Sequence, residues 1–221
     1  MKPILESNDN YLITASNGNY VHPTLEGRKN FEKWFKQSKV TDSQGQPQIM
    51  FHGTFQSFDI FDKNKIGSRF SSDSEGFFAI SCPKLASQYA EHGEMSGNAN
   101  VIPMFVSIQN PLIIDSQFLA SEGMTEIGQN DCVITFWDNN QDFILNLAYE
   151  KKCDGVLLVD SSKLQSENIV MMSVAFEAKQ LKSAIGNSGS FNPKQSSLTD
   201  SNNLLLSHKK EITTIKKKLR F

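Results

Sequence analysis

Leu25, Arg28, Phe31, Trp34 and Phe35 recur at three- and four-residue intervals, the spacing that lines side chains along one face of a helix. Asp42-Ser43-Gln44-Gly45 then has turn chemistry, and Pro47 to Phe51 reads as a strand. The pattern predicts helix, turn, strand. Residues 62–76 have no period and are rich in Ser, Gly and Lys, the composition of an exposed loop of the kind that often carries function. Phe77-Phe78-Ala79-Ile80 is a short buried strand. Ser81 as cap and Pro83 in the first turn then open a helix whose apolar face is Leu85, Ala86, Tyr89 and Ala90.

The second half is richer in strands. Val101 to Ile108 and Pro111 to Ile114 read as extended segments around a turn at Gln109-Asn110, because Pro111 steers the residue before it away from helix. A helix opened by Asp138 presents Phe143, Ile144, Leu147 and Ala148 on one side. Two strands follow, Val156 to Val159 and Val170 to Phe176, with a serine-rich turn between them. Residues 182–200, rich in Gly, Ser and Asn, read as an irregular peptide laid over the surface, and residues 1–25 show no sustained periodicity. The expected organisation is a loose N-terminal arm over 1–25, one domain over 26–198 and a basic tail over 199–221. Strands with few intervening helices point to an α+β fold and not to a doubly wound parallel sheet.

Composition narrows the class. The chain has 221 residues and 16 phenylalanines, enough for one domain with a sizeable core plus tails. The longest apolar runs fall well short of the ~20 residues a membrane-spanning helix needs, so no membrane span is expected. The first twenty residues lack a continuous apolar stretch of signal-peptide type, and Cys82, Cys132 and Cys153 have no CxxC spacing. That predicts a reducing compartment, cytoplasmic or reached by delivery into a host cell, with neither a disulfide framework nor a zinc site. The net charge of −2 hides an asymmetry: residues 199–221 hold six lysines and arginines against two acids, and the remainder is acidic. The short lysine runs read as solvated helix ends, so nucleic acid and anionic lipid are not expected partners.

Of four histidines, His22 and His208 fall in the expected arm and tail, and His92 sits at the polar end of a helix. His52 is differently placed. It ends a strand as Phe51-His52-Gly53-Thr54, where Gly53 lets another group approach the backbone closely. Taken alone, this tripeptide reads first as a structural histidine at a strand end, ahead of a working one.

The surrounding constellation is more specific. His52-Gly53 after a strand, an irregular loop, Gly76-Phe77-Phe78-Ala79, and Tyr89 on the next helix resemble the NAD-binding core of the ADP-ribosyltransferase superfamily. Within it, the pattern resembles the diphtheria-toxin and poly-ADP-ribose polymerase branch, whose motifs are His-Gly, Gly-x-Tyr-Phe-Ala, Ser-x-x-Tyr and a strand opening Glu-Tyr-Ile. Phe78 stands at the first aromatic position and Tyr89 at the second, with Ala86 where the family often has Ser. The chain from Trp34-Phe35 and Asp42-Ser43-Gln44-Gly45-Gln46-Pro47 to Gln180-Leu181-Lys182-Ser183-Ala184-Ile185-Gly186-Asn187-Ser188-Gly189-Ser190-Phe191 is also similar to transferase-like domains of phage polyvalent and Mu head-type proteins.

The resemblance implies a split antiparallel sheet with flanking helices, NAD as substrate, and mono-ADP-ribosylation of a protein acceptor by a toxin, effector or phage-derived enzyme. It implies that His52 meets a ribose hydroxyl, that the Gly53 backbone with neighbouring Thr54 meets the carboxamide, and that Phe78 and Tyr89 sandwich the nicotinamide. Arg69, in the loop, is a candidate for the diphosphate or an exposed arginine without a ligand. The chain departs from the pattern at Met172, which stands where the family has its catalytic Glu. A thioether cannot stabilise an oxocarbenium-like ribose as a carboxylate does. Glu167 is the candidate substitute, and Glu75, Glu91, Glu94 and Glu177 are others. Two alternatives follow: a catalytically weak or inactive member that binds NAD or ADP-ribose, or a basic-tailed adaptor using the fold as scaffold.

Overall fold

Period-two alternation along the strands sorts the side chains into two apolar layers. In the computed structural model, which describes residues 12–62, 76–91, 99–124, 133–160 and 169–201, the elements run α1 (Leu25–Phe35), β1 (Met50–Thr54), β2 (Phe77–Ile80), α2 (Pro83–Glu91), β3 (Asn100–Val106), β4 (Pro111–Ile114), α3 (Ser116–Ser121), α4 (Val133–Glu150), β5 (Gly155–Asp160), β6 (Ile169–Ala175) and β7 (Leu181–Ser183). Arg69, Glu75, His92, Glu94, Cys132, Glu167 and His208 lie outside the described residues.

The seven strands form one curled sheet in the order β4-β5-β6-β2-β1-β3-β7. Every neighbouring pair is antiparallel except β4 with β5. This is the α+β architecture expected, with a parallel edge pair added. Phe77 and Ala79 join Met50, Met104 and Leu157 on one face. Ile80, Val156, Leu158, Met172 and Val174 join Trp137, Ile144 and Ala148 of α4 on the other. A third cluster packs α1, through Phe31, Trp34 and Phe35, against Phe105 and Phe191.

Element boundaries depart from the sequence pattern in ways that have physical causes. β1 starts at Met50 and not at Pro47, because residues 40–48 close on themselves around the Asp42 turn: Gln48 N–H donates to the Val40 carbonyl, and Asp42 Oδ1 accepts from Gln44 and Gln46 N–H. The strand instead runs through His52 to Thr54, so His52 lies within β1. The backbone N–H of Ser81 bonds Met171, and the carbonyl of Cys82 accepts the first bond of α2. α4 begins five residues before Asp138, and its buried stripe runs through Trp137, Ile144, Leu145 and Ala148, leaving Phe143 exposed.

Of the residues expected to form a loose arm, 1–11 lie outside the described residues, and 12–24 pack onto the domain. Ala15 and Val21 are buried against α1, Thr14 bridges Tyr20, and Ser16 N–H donates to Pro47. Ile13, Ala15 and Val21, without a period, gave no signal, yet they suffice to cap an aromatic cluster. At the other end the domain extends past residue 198, because Asp200 is fully buried.

That burial is electrostatic. Lys182 on β7 and Asp200 are both fully buried, with Nζ 2.6 Å from Asp200 Oδ1; Nζ also donates to the carbonyls of Ser197 at 2.8 Å and Gln195 at 3.0 Å. Desolvation pulls the Lys182 pKa down, and the Asp200 contact offsets part of this. Removing one partner of such a pair leaves an uncompensated buried charge, which costs about 3–5 kcal/mol. Asp200→Ala is therefore expected to lose stability on that scale in urea unfolding, far more than a surface substitution; a loss under ~1 kcal/mol would show that Lys182 finds water or another partner.

Candidate functional site

The sheet has one weak seam. β1 pairs with β3 along all five residues from Met50↔Met104 to Thr54↔Asn100, but with β2 only at Phe51↔Ile80. Continued pairing would set His52 opposite Ala79 and Gly53 opposite Phe78. The ladder stops there, and a side chain takes over. His52 Nδ1 lies 2.7 Å from the Phe78 carbonyl oxygen across the seam. A carbonyl only accepts, so Nδ1 carries the proton, and in neutral His52 the Nε2 lone pair remains as an acceptor.

His52 shares the face of Ile102, its partner on β3, and its ring meets the edges of Phe61 at 4.9 Å and Phe58 at 6.0 Å between centroids. Burial in this aromatic setting lowers the His52 pKa, and the Phe78 hydrogen bond recovers only part of the shift. The ring is therefore neutral at pH 7.

Gly53 faces the other side, toward α2. A Cβ there would lie 1.9 Å from the Ala86 carbonyl oxygen and 3.2 Å from Ala90 N. Gly53 thus lets α2 lie directly on β1, which carries Tyr89, half-buried, into the region of the seam. Phe78 also belongs to this face. It is half-buried, and its ring meets Trp137 of α4 at 5.3 Å in an edge-on arrangement. The Trp137 indole N–H is buried and has no hydrogen-bond partner among the described residues.

The structure therefore brings the His52 imidazole to the Phe78 carbonyl at the seam, while the Phe78 ring lies with Gly53 and the helix of Tyr89 on the other face of the sheet. Thr54 is turned away to local bonding, where Oγ1 accepts from Gln56 N–H at 3.1 Å and donates to the Gln56 carbonyl at 3.3 Å, closing the turn after β1. Arg69 and Glu167 lie outside the described residues. Met172 is 2% exposed and packs within the α4-facing core, opposite Ile80 and Leu158 in register. Among the other carboxylates weighed, Glu177 takes part in a capping box with Gln180 ahead of β7, and Glu91 accepts from Ser87 Oγ at 3.1 Å.

Sequence reasoning missed Trp137, Phe58 and Phe61 as neighbours of the seam. Phe58 and Phe61 carried a faint signal, a three-residue aromatic spacing just after His-Gly-Thr. His22 is also not a tail residue: it packs beside Gly27 and Gly189, edge-on to Phe191. A shallow surface cavity lined by Tyr20, His22, Ile185 and Phe191 shares no residue with the seam.

Residues 42–191, about two thirds of the chain, match the family model described as ADP-ribosyltransferase in polyvalent proteins, and the chain belongs to that family. No curated protein and no solved structure matches it. Among the described residues, no helix is long and apolar enough to cross a membrane.

The depressed His52 pKa has a stability consequence with a definite sign. Above the ordinary value of ~6.5 both folded and unfolded chains hold a neutral ring; as pH falls below it the unfolded chain takes up the proton first. Stability is thus full above about pH 6.5, falls with acid from there, and levels off below the folded-state pKa. His52→Gln should lose this portion of the pH dependence, read as melting temperature between about pH 7 and 5; an identical slope in both proteins would place His52 in water.

Proposed function

We propose that this member of the ADP-ribosyltransferase family is an NAD-dependent mono-ADP-ribosyltransferase that modifies a protein acceptor, acting as a toxin, effector or phage-derived enzyme. The observation that carries the reading is the His52–Phe78 bond across an otherwise open strand seam, beside a glycine whose side-chain direction is filled by the helix of Tyr89. Transfer breaks the bond between nicotinamide and ribose, passes through an oxocarbenium-like ribose, and joins C1 of the ribose to a nucleophile of the acceptor, whose proton leaves to base or water.

In this reading, the His52 Nε2 lone pair accepts from a ribose hydroxyl, which requires the neutral tautomer that the Phe78 carbonyl enforces. The Gly53 backbone pairs with the carboxamide; Phe78 and Tyr89 are the candidate flat walls for the nicotinamide, on the face of the sheet across from the imidazole, with Trp137 against Phe78. Arg69 is the candidate for the diphosphate. Thr54 contributes through the turn it closes and not through its hydroxyl.

The carboxylate is the open element. Met172 packs in the core, so an acid at that position would have to be buried among aliphatic side chains. Glu167, two residues ahead of β6, is our candidate. The burial of Met172 equally favours a second reading, in which the protein binds NAD or ADP-ribose with little transfer.

Incubating the full chain with labelled NAD and a cell lysate tests the first reading directly: protein-bound label is expected, and label lost in Glu167→Gln with NAD still bound would place the acid. Absence of label with retained NAD binding would select the second reading. No NAD binding at all would sink both.

The pocket residues have their own expected signatures. His52→Ala should weaken NAD binding or turnover by roughly 10- to 100-fold, the scale of one or two ligand hydrogen bonds. Tyr89→Phe should keep most of the affinity, while Tyr89→Ala loses it at nearly unchanged melting temperature. Global unfolding of Tyr89→Ala would mark it as core alone.

A further inference from the structure

We propose, building on the reading that His52 serves NAD, that Asp59 is a positioning residue, which ties the C-terminal strap of residues 195–200 to the segment carrying Phe58 and Phe61 and so holds the His52 imidazole in its working orientation.

The contacts form a continuous chain. Asp59 Oδ2 accepts from Ser197 Oγ at 2.5 Å, and Oδ1 accepts from Thr199 N–H at 2.9 Å and Thr199 Oγ1 at 2.7 Å. The Asp59 carbonyl accepts from Leu198 N–H at 2.7 Å, and Ile60 bridges Ser197 as a short piece of sheet. The strap end of these bonds is rigid, because the Ser197 carbonyl and Asp200 hold Lys182 on β7, and Asp200 N–H donates back to Ser197 Oγ.

On its other side, Asp59 lies between two aromatic residues whose rings contact each other at 4.8 Å and both meet His52 edge-on. Phe61 is further braced by Phe77 of β2 at 5.1 Å. The imidazole is thus fixed at two points: Nδ1 by the Phe78 carbonyl, and the ring by two phenylalanines whose backbone is clamped at Asp59. An irregular segment without regular structure needs such a clamp, since the ring contacts alone are non-directional.

Asp59 could instead act through its charge, and the two routes differ in sign. Burial opposes ionisation of Asp59, yet the bonds from Ser197 and Thr199 and the Lys182 charge together hold its carboxyl below the usual range. It is an anion at neutral pH. An anion near His52 would raise the imidazole pKa; packing by Phe58 and Phe61 lowers it. The titratable side chains on the segment packed against the ring are Asp59 and Asp62, and β1, β2 and β3 contribute none besides His52; Lys84, Tyr89 and Glu91 of α2 lie across the sheet.

The experiment is NMR titration of the imidazoles in the full chain without NAD, the His52 resonance being assigned with His52→Gln. Wild type should titrate below ~6.5. Asp59→Ala, and Ser197→Ala with Thr199→Val, should both move the His52 midpoint upward toward ~6.5 as the rings loosen. Asp59→Asn keeps an accepting oxygen for Thr199 and loses the charge, so it should shift the midpoint less, and not upward. Ser197→Ala alone removes the Ser197 Oγ bonds to Asp59 and from Asp200 N–H, leaves the Thr199 bonds to Asp59 in place, and carries the same sign at smaller size, so the comparison survives if Asp59→Ala does not fold. A His52 midpoint unchanged or lowered in the folded variants that break the clamp would overturn the proposal.

A second arm measures NAD hydrolysis. Asp59→Ala should lower kcat/KM on the order of tenfold, with Asp59→Asn retaining more, as expected when a binding group is misplaced and not removed. The titration needs no NAD, so it decides the role of Asp59 even if wild type neither binds nor hydrolyses NAD. A titration shift with undiminished turnover would leave Asp59 positioning a ring that NAD does not use, and would count against the functional reading alone.

Discussion

A lysine ammonium with no exposed surface sits against a carboxylate with none, and the C-terminal third of the domain is arranged to make that tolerable. Taking both charges out of water costs several kcal/mol each, and the mutual attraction repays this only when the remaining hydrogen-bonding capacity is met. Here it is met. Lys182 Nζ donates its three protons to Gln195, Ser197 and Asp200, while Asp200 Oδ2 accepts from Asn187 Nδ2 and Asn192 N–H. Asn187 Oδ1 accepts from Gly189 and Phe191 N–H, in a turn where both residues have positive φ, +87° and +41°. The polar residues around Lys182 thus build the strap on which Phe191 enters the α1 cluster. The net stability of such a pair against an apolar substitute is small; what it does here is fasten residues 195–200 to β7 through the bonds that Lys182 and Asp200 make.

The same strap packs on the face of the sheet that, among the described residues, α2 and α4 leave uncovered. Leu198 fills the core under β1 and β3, while its N–H and its neighbours engage Asp59. The opposite face is covered by α2 and α4, and the two coverings meet at the β1–β2 seam. Strands that pair at one position only would part without support, and three things hold this seam: the Ala86 carbonyl pressed to Gly53, the His52–Phe78 bond, and the Phe61–Phe77 contact. In the function we propose, a ligand at the seam meets backbone groups and aromatic edges already in place, so little ordering entropy is left for binding to supply.

Much of this was legible in sequence and some was not. Helix and strand positions followed the periods of 3.6 and 2, because α1, α2, β2 and β5 bury one face or run each against a regular neighbour. Boundaries failed where tertiary packing, not the local pattern, places the residues: residues 12–24 pack as a cap on the cluster of Phe31 and Trp34, and α4 starts ahead of Asp138, with Trp137 in its first turns against Phe78. His52, Gly53 and Phe78 could be singled out because their spacing from one another along the chain resembles that of a known family. Asp59 could not, since its partners lie about 140 residues away and an Asp in a polar loop has no distinguishing neighbour in sequence. The Gln-x-Lys-Ser ending was visible as a resemblance, but its chemistry, a buried cation bonded by carbonyls, is visible only in three dimensions.

Fold and activity separate most clearly on β6. Its alternation places Met172 and Val174 in the α4-facing core, with Ser173 turned to the other face and its Oγ donating to Ala79. At Met172 the motif that the sequence resembles has a carboxylate, and the packing asks for a side chain that fills space between Ile80 and Leu158. A thioether answers only the second demand. The determinants of the sheet, the strap and the imidazole are therefore satisfied without reference to the acid, and nothing in the packing of this chain would select for one at that position. In the function we propose, the anion is therefore sought outside the α4-facing core, which at Met172 leaves space only for an apolar side chain.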